Sequence, residues 1–239
     1  MKRIILTVIK CIFRLPYWWL YKVKKLSNHD KYTYKDGYAF IHHVAPTVIK
    51  RARVNLKVYG LENIPQNEGV LFTPNHQGLF DPIAMFSSLD IPVRAVVKEE
   101  LTHTVLVKDV IKMLDYVPID RKDFRQSAKV IKYVSKQLEA GESFLIYPEG
   151  TRSKEGNKLL EFKGGTFKIA TKSHATIVPV AMIDCFKVFD VNTIKKITVQ
   201  IHYLKPIRYE EYQDMHTNDI AMLVQSRIEE AIKEYSNEN

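Results

Sequence analysis

From Val54 to the C-terminus, short runs of β-branched and apolar residues alternate with longer stretches of helical periodicity, and turn residues separate the two. Few architectures accept that alternation. Asn55–Tyr59, Gly69–Thr73, Val93–Val97, Tyr116–Asp120, Ser143–Tyr147, Ile177–Met182 and Ile197–Leu204 read as strands. Gly60, Pro65 and Asn67 to Gly69 punctuate the first two. Pro82–Leu89, His103–Met113, Arg125–Glu139, Gly165–Lys172 and Asp219–Tyr235 read as helices. The pattern predicts an α/β fold: a single mixed, largely parallel sheet flanked by helices on both faces. A chain of 239 residues suits one such domain with a small appendage. The last four residues continue no pattern and are expected to fray.

Residues 1–53 have another texture. Between Met1 and His29 there are seven Lys or Arg and no acidic residue. At 100° per residue, Arg3, Lys10, Arg14 and Lys25 fall within roughly 60° of one another, with Ile5, Ile9, Ile12 and Trp19 opposite. Tyr17, Trp18, Trp19 and Tyr21 cluster near the end, and rings with polar tips favour a membrane–water boundary. This is the pattern of an interfacial amphipathic helix, which Pro16 kinks or splits. The other reading is a surface helix packed on the domain behind it. A second helix is expected over Tyr38–Arg53, with Gly37 ahead of it, Pro46 bending it, and Lys50, Arg51 and Arg53 at its cation-favouring end. Together the two predict a helical hairpin over residues 1–53 and an α/β domain over 54–239. The longest apolar run near the start, Ile4–Ile9, is far below the ~20 residues of a spanning helix, and no small-residue cleavage site follows it.

Lys and Arg exceed Asp and Glu, giving a formal charge of +9. That excess favours anionic partners without choosing among nucleic acid, lipid headgroups and phosphorylated substrates. Two isolated cysteines, Cys11 and Cys185, make neither a disulfide framework nor a metal motif, and the eight His show no ligand spacing. No nucleic-acid-binding motif is present, and the positive charge lies beside apolar and aromatic residues.

Two blocks carry chemistry. Asn75-His76-Gln77-Gly78-Leu79-Phe80-Asp81-Pro82 follows a strand and opens a helix, where α/β sheets place their sites. His76 can take and give a proton near neutral pH. A carboxylate at Asp81 can turn back to accept the imidazole N–H and fix its tautomer, so that the ring accepts a proton from a substrate hydroxyl. This is the base-and-orienter half of a triad, with the nucleophilic oxygen supplied by the substrate. Asp81 before Pro82 also reads as a plain helix cap. In the second block, Phe144 to Ser153, another buried strand ends in a polar loop. Glu149 can hold a polyol or orient the site, Gly150 allows close backbone approach, and Arg152 offers a planar fork for phosphate. A strand running into a solvated charged turn explains the same residues.

Together, Asn-His-x4-Asp and the later Pro148-Glu149-Gly150-Thr151-Arg152-Ser153 resemble the glycerolipid acyltransferase family, closest to its bacterial 1-acylglycerol-3-phosphate acyltransferases. Leu61-Glu62-Asn63-Ile64-Pro65, then Lys98 with Glu100-Leu101, Val117-Pro118-Ile119-Asp120-Arg121, Phe162-Lys163-Gly164-Gly165 and Val178-Pro179-Val180 fall in family order. The resemblance covers roughly residues 55–205. One departure is the stretch His103–Asp109, where the family has a Pro and a Gly, and it leaves the acyl pocket open.

The resemblance implies transfer of a fatty acyl group to the sn-2 hydroxyl of lysophosphatidic acid, giving phosphatidic acid. His76 is then the general base, oriented by Asp81. Arg152, Arg121 and Lys98 hold the phosphate, Glu149 places the glycerol, and Gly150 and Thr151 complete the binding loop, whose backbone N–H groups are candidates for the oxyanion. No cofactor is permanently bound; the co-substrate is a thioester of coenzyme A or acyl carrier protein. Residues 1–53 dock on anionic lipid at the cytoplasmic face of the cell membrane, as a peripheral or monotopic protein. The alternatives are another acceptor (glycerol-3-phosphate or a different lysophospholipid) and a non-catalytic anionic-lipid-binding protein. A hydrolase is disfavoured because no Gly-x-Ser-x-Gly elbow is present.

Overall fold

Seven strands form one sheet in a computed structural model of the protein, which describes residues 2–236. In chain order they are β1 (Val54–Tyr59), β2 (Val70–Pro74), β3 (Val93–Lys98), β4 (Val117–Ile119), β5 (Ser143–Leu145), β6 (Thr176–Ile183) and β7 (Ile197–Tyr203). Across the sheet the order is β1-β7-β6-β2-β5-β3-β4. The β6–β7 pair is antiparallel, with Val180 opposite Tyr203; the other pairings are parallel. Every strand expected from the sequence is present, and the sheet is mixed and mostly parallel. The helices are α1 (Lys2–Cys11), α2 (Lys24–Leu26), α3 (Tyr34–Arg51), α4 (Asp81–Ser88), α5 (Val107–Met113), α6 (Phe124–Glu139), α7 (Gly164–Ser173), α8 (Phe186–Phe189), α9 (Tyr209–Tyr212) and α10 (Thr217–Tyr235). Of the last four residues, only Ser236 is described, closing α10; the fraying expected for the other three lies outside the described residues.

Alternation along the central strands sends neighbouring side chains to opposite faces. Leu71 joins Phe144 and Ile177 beneath α6, α7 and α10, where Val134, Phe167 and Val224 are buried. Phe72 joins Val178 and Ile201 beneath α3 and α4, where Tyr38, Ile49 and Met85 are buried. Strands β2 and β6 are buried along their whole length, which is why they read as continuous apolar runs.

Corrections to the sequence reading concern helix ends and one cation. The second helix starts at Tyr34, not Tyr38. Thr33 and Asp36 form a capping box, with Thr33 N–H donating to Asp36 Oδ2 at 2.7 Å. Gly37 therefore sits inside α3 and does not precede it. A Cβ there would meet the Met113 carbonyl oxygen at 2.8 Å, so glycine is what lets α3 approach the end of α5. The helix expected over His103–Met113 is broken. A 3₁₀ turn covers Glu99–His103, and α5 begins only after Leu106, whose φ of 71° is incompatible with a continuing helix. The first helix does split, but ahead of Pro16: α1 ends at Cys11, and Tyr17–Val23 forms a wide π-helical turn leading into α2.

Arg3, expected on the cationic face of α1, is buried. Its guanidinium donates to Ala52 O and Lys195 O, both at 2.6 Å. It thus binds α1 to the carbonyl end of α3, where a cation is favoured. The apolar side is the one left open. Ile5, Val8, Ile9 and Ile12 are exposed at one-face spacing, and Phe13 is 97% exposed, with Tyr17, Leu20 and Tyr21 exposed beyond it. No helix among the described residues is long and apolar enough to cross a membrane.

Candidate active site

Both chemical blocks sit at the carboxyl ends of adjacent parallel strands. Leu71 pairs with Phe144 and Phe72 with Leu145, and Ile146 N–H donates to Phe72 O at 3.0 Å. The loop after β2 and the loop after β5 are thereby held side by side. Three further clamps fix the first loop. Asn75 pairs with the Met182 peptide of β6, its Nδ2 donating to the carbonyl at 3.0 Å and its Oδ1 accepting from the N–H at 2.7 Å. Gln77 accepts from Cys185 N–H at 2.9 Å and donates to Asn157 Oδ1 at 2.8 Å. Ser153 N–H donates to His76 O at 2.8 Å, joining the two loops directly.

His76 and Asp81 meet as the sequence predicts. Asp81 Oδ2 lies 2.8 Å from His76 Nδ1 and also accepts from Gln77 N–H at 2.6 Å and Gly78 N–H at 2.9 Å. The plain-cap reading of Asp81 does not hold: Phe80 is the N-cap of α4, no side chain caps it, and the Asp81 carboxylate turns back to the loop and orients the imidazole. Asp81 is fully buried. An ionised carboxylate only accepts, so the proton of a neutral His76 sits on Nδ1 and the lone pair on Nε2. The imidazole is 20% exposed and lines a cavity of about 520 Å³.

The cavity has two kinds of wall. Met85, Phe86, Leu89, Val97 and Leu101 make an apolar stretch between α4 and β3, closed by Tyr116 and by Tyr38 of α3. Tyr38 is held there by its hydroxyl, which donates to Leu89 O at 3.0 Å. Lys98, Arg121, Gly150, Thr151 and Arg152 line the same cavity as His76. Arg121 Nη1 donates to Gly150 O at 2.6 Å. Gly150 has a φ of 76°, and a Cβ there would fall 1.8 Å from Arg121 Nη1, so the loop and the guanidinium fit only around glycine. Burial pulls the Arg121 guanidinium below its usual value, opposed by Glu100.

Glu149 stands elsewhere than expected. It is buried and does not line the cavity. Its Oε1 accepts from His76 N–H at 2.7 Å and its Oε2 from Leu160 N–H at 3.0 Å. Each oxygen accepts from backbone, so Glu149 braces the His76 loop from behind the cavity wall. Burial pushes its carboxyl above the usual carboxylate range, against the pull of those two donors. The Gly150 N–H is also taken, donating to Tyr147 O at 3.0 Å, which removes it from the oxyanion donors. Sequence reasoning missed the bracing by Asn157, for which no local signal exists. It also passed over Tyr147, whose ring lies 4.0 Å from that of His76 between centroids.

Relatives of the chain carry related descriptions. A 1-acyl-sn-glycerol-3-phosphate acyltransferase of Borreliella burgdorferi is 28% identical over 174 residues, covering 71% of this chain and 69% of that protein. A chloroplastic 1-acyl-sn-glycerol-3-phosphate acyltransferase of Arabidopsis thaliana is 31% identical over 134 residues, covering 56% of this chain but only 37% of its own length. The crystal structure of the 1-acyl-sn-glycerophosphate (LPA) acyltransferase PlsC from Thermotoga maritima superposes with a TM-score of 0.80 at 20% identity, covering 99% of this chain and 97% of that one, which establishes a shared fold. The Acyltransferase family model matches residues 55–183, more than half of the chain and the stretch that holds both loops, and the protein therefore belongs to the Acyltransferase family.

Proposed function

We propose that the protein transfers a fatty acyl group from a thioester to the sn-2 hydroxyl of 1-acylglycerol-3-phosphate, forming phosphatidic acid. The observation that carries the reading is a His76 held by Asp81 at Nδ1, facing a cavity that is apolar on one side and cationic on the other. The acyl chain of the donor lies along Met85, Phe86 and Leu89. Lys98, Arg121 and Arg152 receive the acceptor phosphate, Arg152 as a planar fork. Nε2 accepts the proton of the acceptor hydroxyl as its oxygen bonds to the thioester carbonyl carbon. The carbon–sulfur bond then breaks, and the departing thiolate takes the proton from the imidazolium. Acyl chain and proton are both passed on without an acyl-enzyme, so the protein contributes a base and proximity. The donor is a thioester of coenzyme A or acyl carrier protein, both anionic partners suited to a cationic mouth.

The names carried by the relatives support the phosphomonoester acceptor. The test is acyl transfer in mixed micelles with lysophosphatidic acid or glycerol-3-phosphate as acceptor. Phosphatidic acid forms from the first, and the second reacts far more slowly. Preference for glycerol-3-phosphate, or for a lysolipid whose phosphate bears a headgroup, overturns the assignment of acceptor.

Residues 1–53 supply the docking surface in this reading, placing the enzyme as a peripheral or monotopic protein on the cytoplasmic face of the cell membrane. The exposed apolar row of α1 and the neighbouring cations support it, each Lys or Arg near anionic lipid being worth about 1 kcal/mol. Deleting the segment is a poor test, because Val23 and Leu26 belong to the buried core. Replacing exposed residues is a clean one. Ile9→Asn with Leu20→Asn lowers affinity for anionic vesicles about 30- to 150-fold, by the loss of about 1–1.5 kcal/mol of apolar burial at each site. The fold is unchanged, and a co-sedimentation assay reads the effect. Full retention on vesicles by the folded variant refutes the docking role.

A further inference from the structure

Tyr147 has no part in the chemistry described so far. It follows β5 at the end of the buried run and lines the cavity beside His76. The two rings are stacked, their centroids 4.0 Å apart and their planes within 23° of parallel. The phenolic oxygen is buried and has no hydrogen-bond partner among the described residues. The polar end of Tyr147 therefore does not hold it against the histidine; the ring face is the part engaged.

A stack of this kind acts in two ways. Asp81 holds the Nδ1 edge of the imidazole and Tyr147 covers a face. An edge contact and a face contact together set both the position and the tilt of the ring, and so the direction in which Nε2 points. The second effect is electrostatic. An aromatic face carries the negative lobe of its quadrupole, which attracts a cation much more than a neutral ring. His76 is neutral before it takes the proton and cationic afterwards. An interaction that strengthens as the charge develops lowers the barrier, whereas one of equal strength in both states does not.

We propose that Tyr147 is a positioning residue for His76, whose ring face stabilises the imidazolium that forms during acyl transfer. The inference rests on His76 being the base, and the experiment separates the two. kcat and KM for lysophosphatidic acid are measured for Tyr147→Phe, Tyr147→Leu, replacement of Tyr147 by pentafluorophenylalanine, and His76→Ala. Phenylalanine keeps the face and retains kcat close to wild type. Leucine removes it and lowers kcat by about 3- to 30-fold with little change in KM. Pentafluorophenylalanine keeps the ring but reverses the sign of its face, and its kcat falls with that of leucine.

Wild-type kcat in the fluorinated variant overturns the proposal, since the face charge is then irrelevant. So does a phenylalanine variant as impaired as leucine, which assigns the effect to the hydroxyl. A rise in KM with kcat intact reduces Tyr147 to a wall of the cavity and also overturns it. If His76→Ala keeps full activity, the base assignment itself has failed. If His76→Ala is inactive while every Tyr147 variant is normal, only the present inference has. Should the leucine variant not fold by circular dichroism, phenylalanine against its fluorinated form decides the matter alone.

Discussion

Replacing His76 by alanine lowers kcat/KM for acyl transfer to lysophosphatidic acid by at least ~10³-fold, while the protein stays folded. A positioned general base contributes about 10²- to 10⁴-fold, and here its loss also empties the wall of the cavity at the point of attack. The clamps on the loop remain, because Asn75 and Gln77 hold β6 and its following turn through their own side chains. The loss therefore falls on chemistry more than on the fold, and residual transfer reports what proximity alone achieves. Steady-state kinetics with circular dichroism on the same preparation check both halves of the statement. Activity within tenfold of wild type removes His76 from the mechanism, since that is below what a general base contributes, ~10² or more.

Asp81→Asn gives the second large effect, a fall of about 10²- to 10³-fold in kcat. Its size follows from the geometry. In a serine protease the corresponding change costs about 10⁴-fold because the wrong tautomer results. Here Gln77 N–H at 2.6 Å and Gly78 N–H at 2.9 Å both point at the Oδ2 position, so the amide oxygen of asparagine is held there and Nδ1 can still donate to it. The tautomer survives, and what is lost is the negative charge facing the imidazolium. A hydrogen bond to a charged group is about twice as strong as a neutral one. The remaining oxygen, Oδ1, has no hydrogen-bond partner among the described residues. The variant puts an amide nitrogen in that place, a buried donor without an acceptor, which lowers stability by about 1–3 kcal/mol. Kinetics and thermal unfolding check the two effects separately. A loss as large as that of His76→Ala shows that the tautomer has reversed and that the backbone donors do not govern the amide.

The sheet was legible because its strands announce themselves. β2 and β6 are covered on both faces and read as unbroken apolar runs. The His76–Asp81 pair was legible for a local reason: five positions of chain, with two intervening N–H groups, suffice to bring the carboxylate back to the ring. Glu149 was read as a glycerol ligand, and its two oxygens instead accept from the backbone of His76 and Leu160. A carboxylate next to a catalytic loop looks the same in sequence whether it faces the substrate or the backbone behind it, and only the long-range pairing of two loops decides. Arg3 failed for a similar reason. Helical spacing assigns it to the cationic face, but the acceptors that bury it, Ala52 O and Lys195 O, lie far along the chain. The late start of α5 depends on Leu106 taking a φ that leucine seldom adopts, for which the sequence holds no sign.

Tyr38 ties the two halves of the molecule together in a way that bears on how such proteins diversify. It belongs to the segment proposed to meet the lipid, yet its ring closes the pocket and its hydroxyl is fixed to Leu89. In the proposed reading, docking segment and pocket share a wall and are not separable modules. Substitutions that retune that segment alter the end of the pocket in the same step. Recombination that swaps residues 1–53 between paralogues must therefore carry a matching α4 to keep the pocket closed.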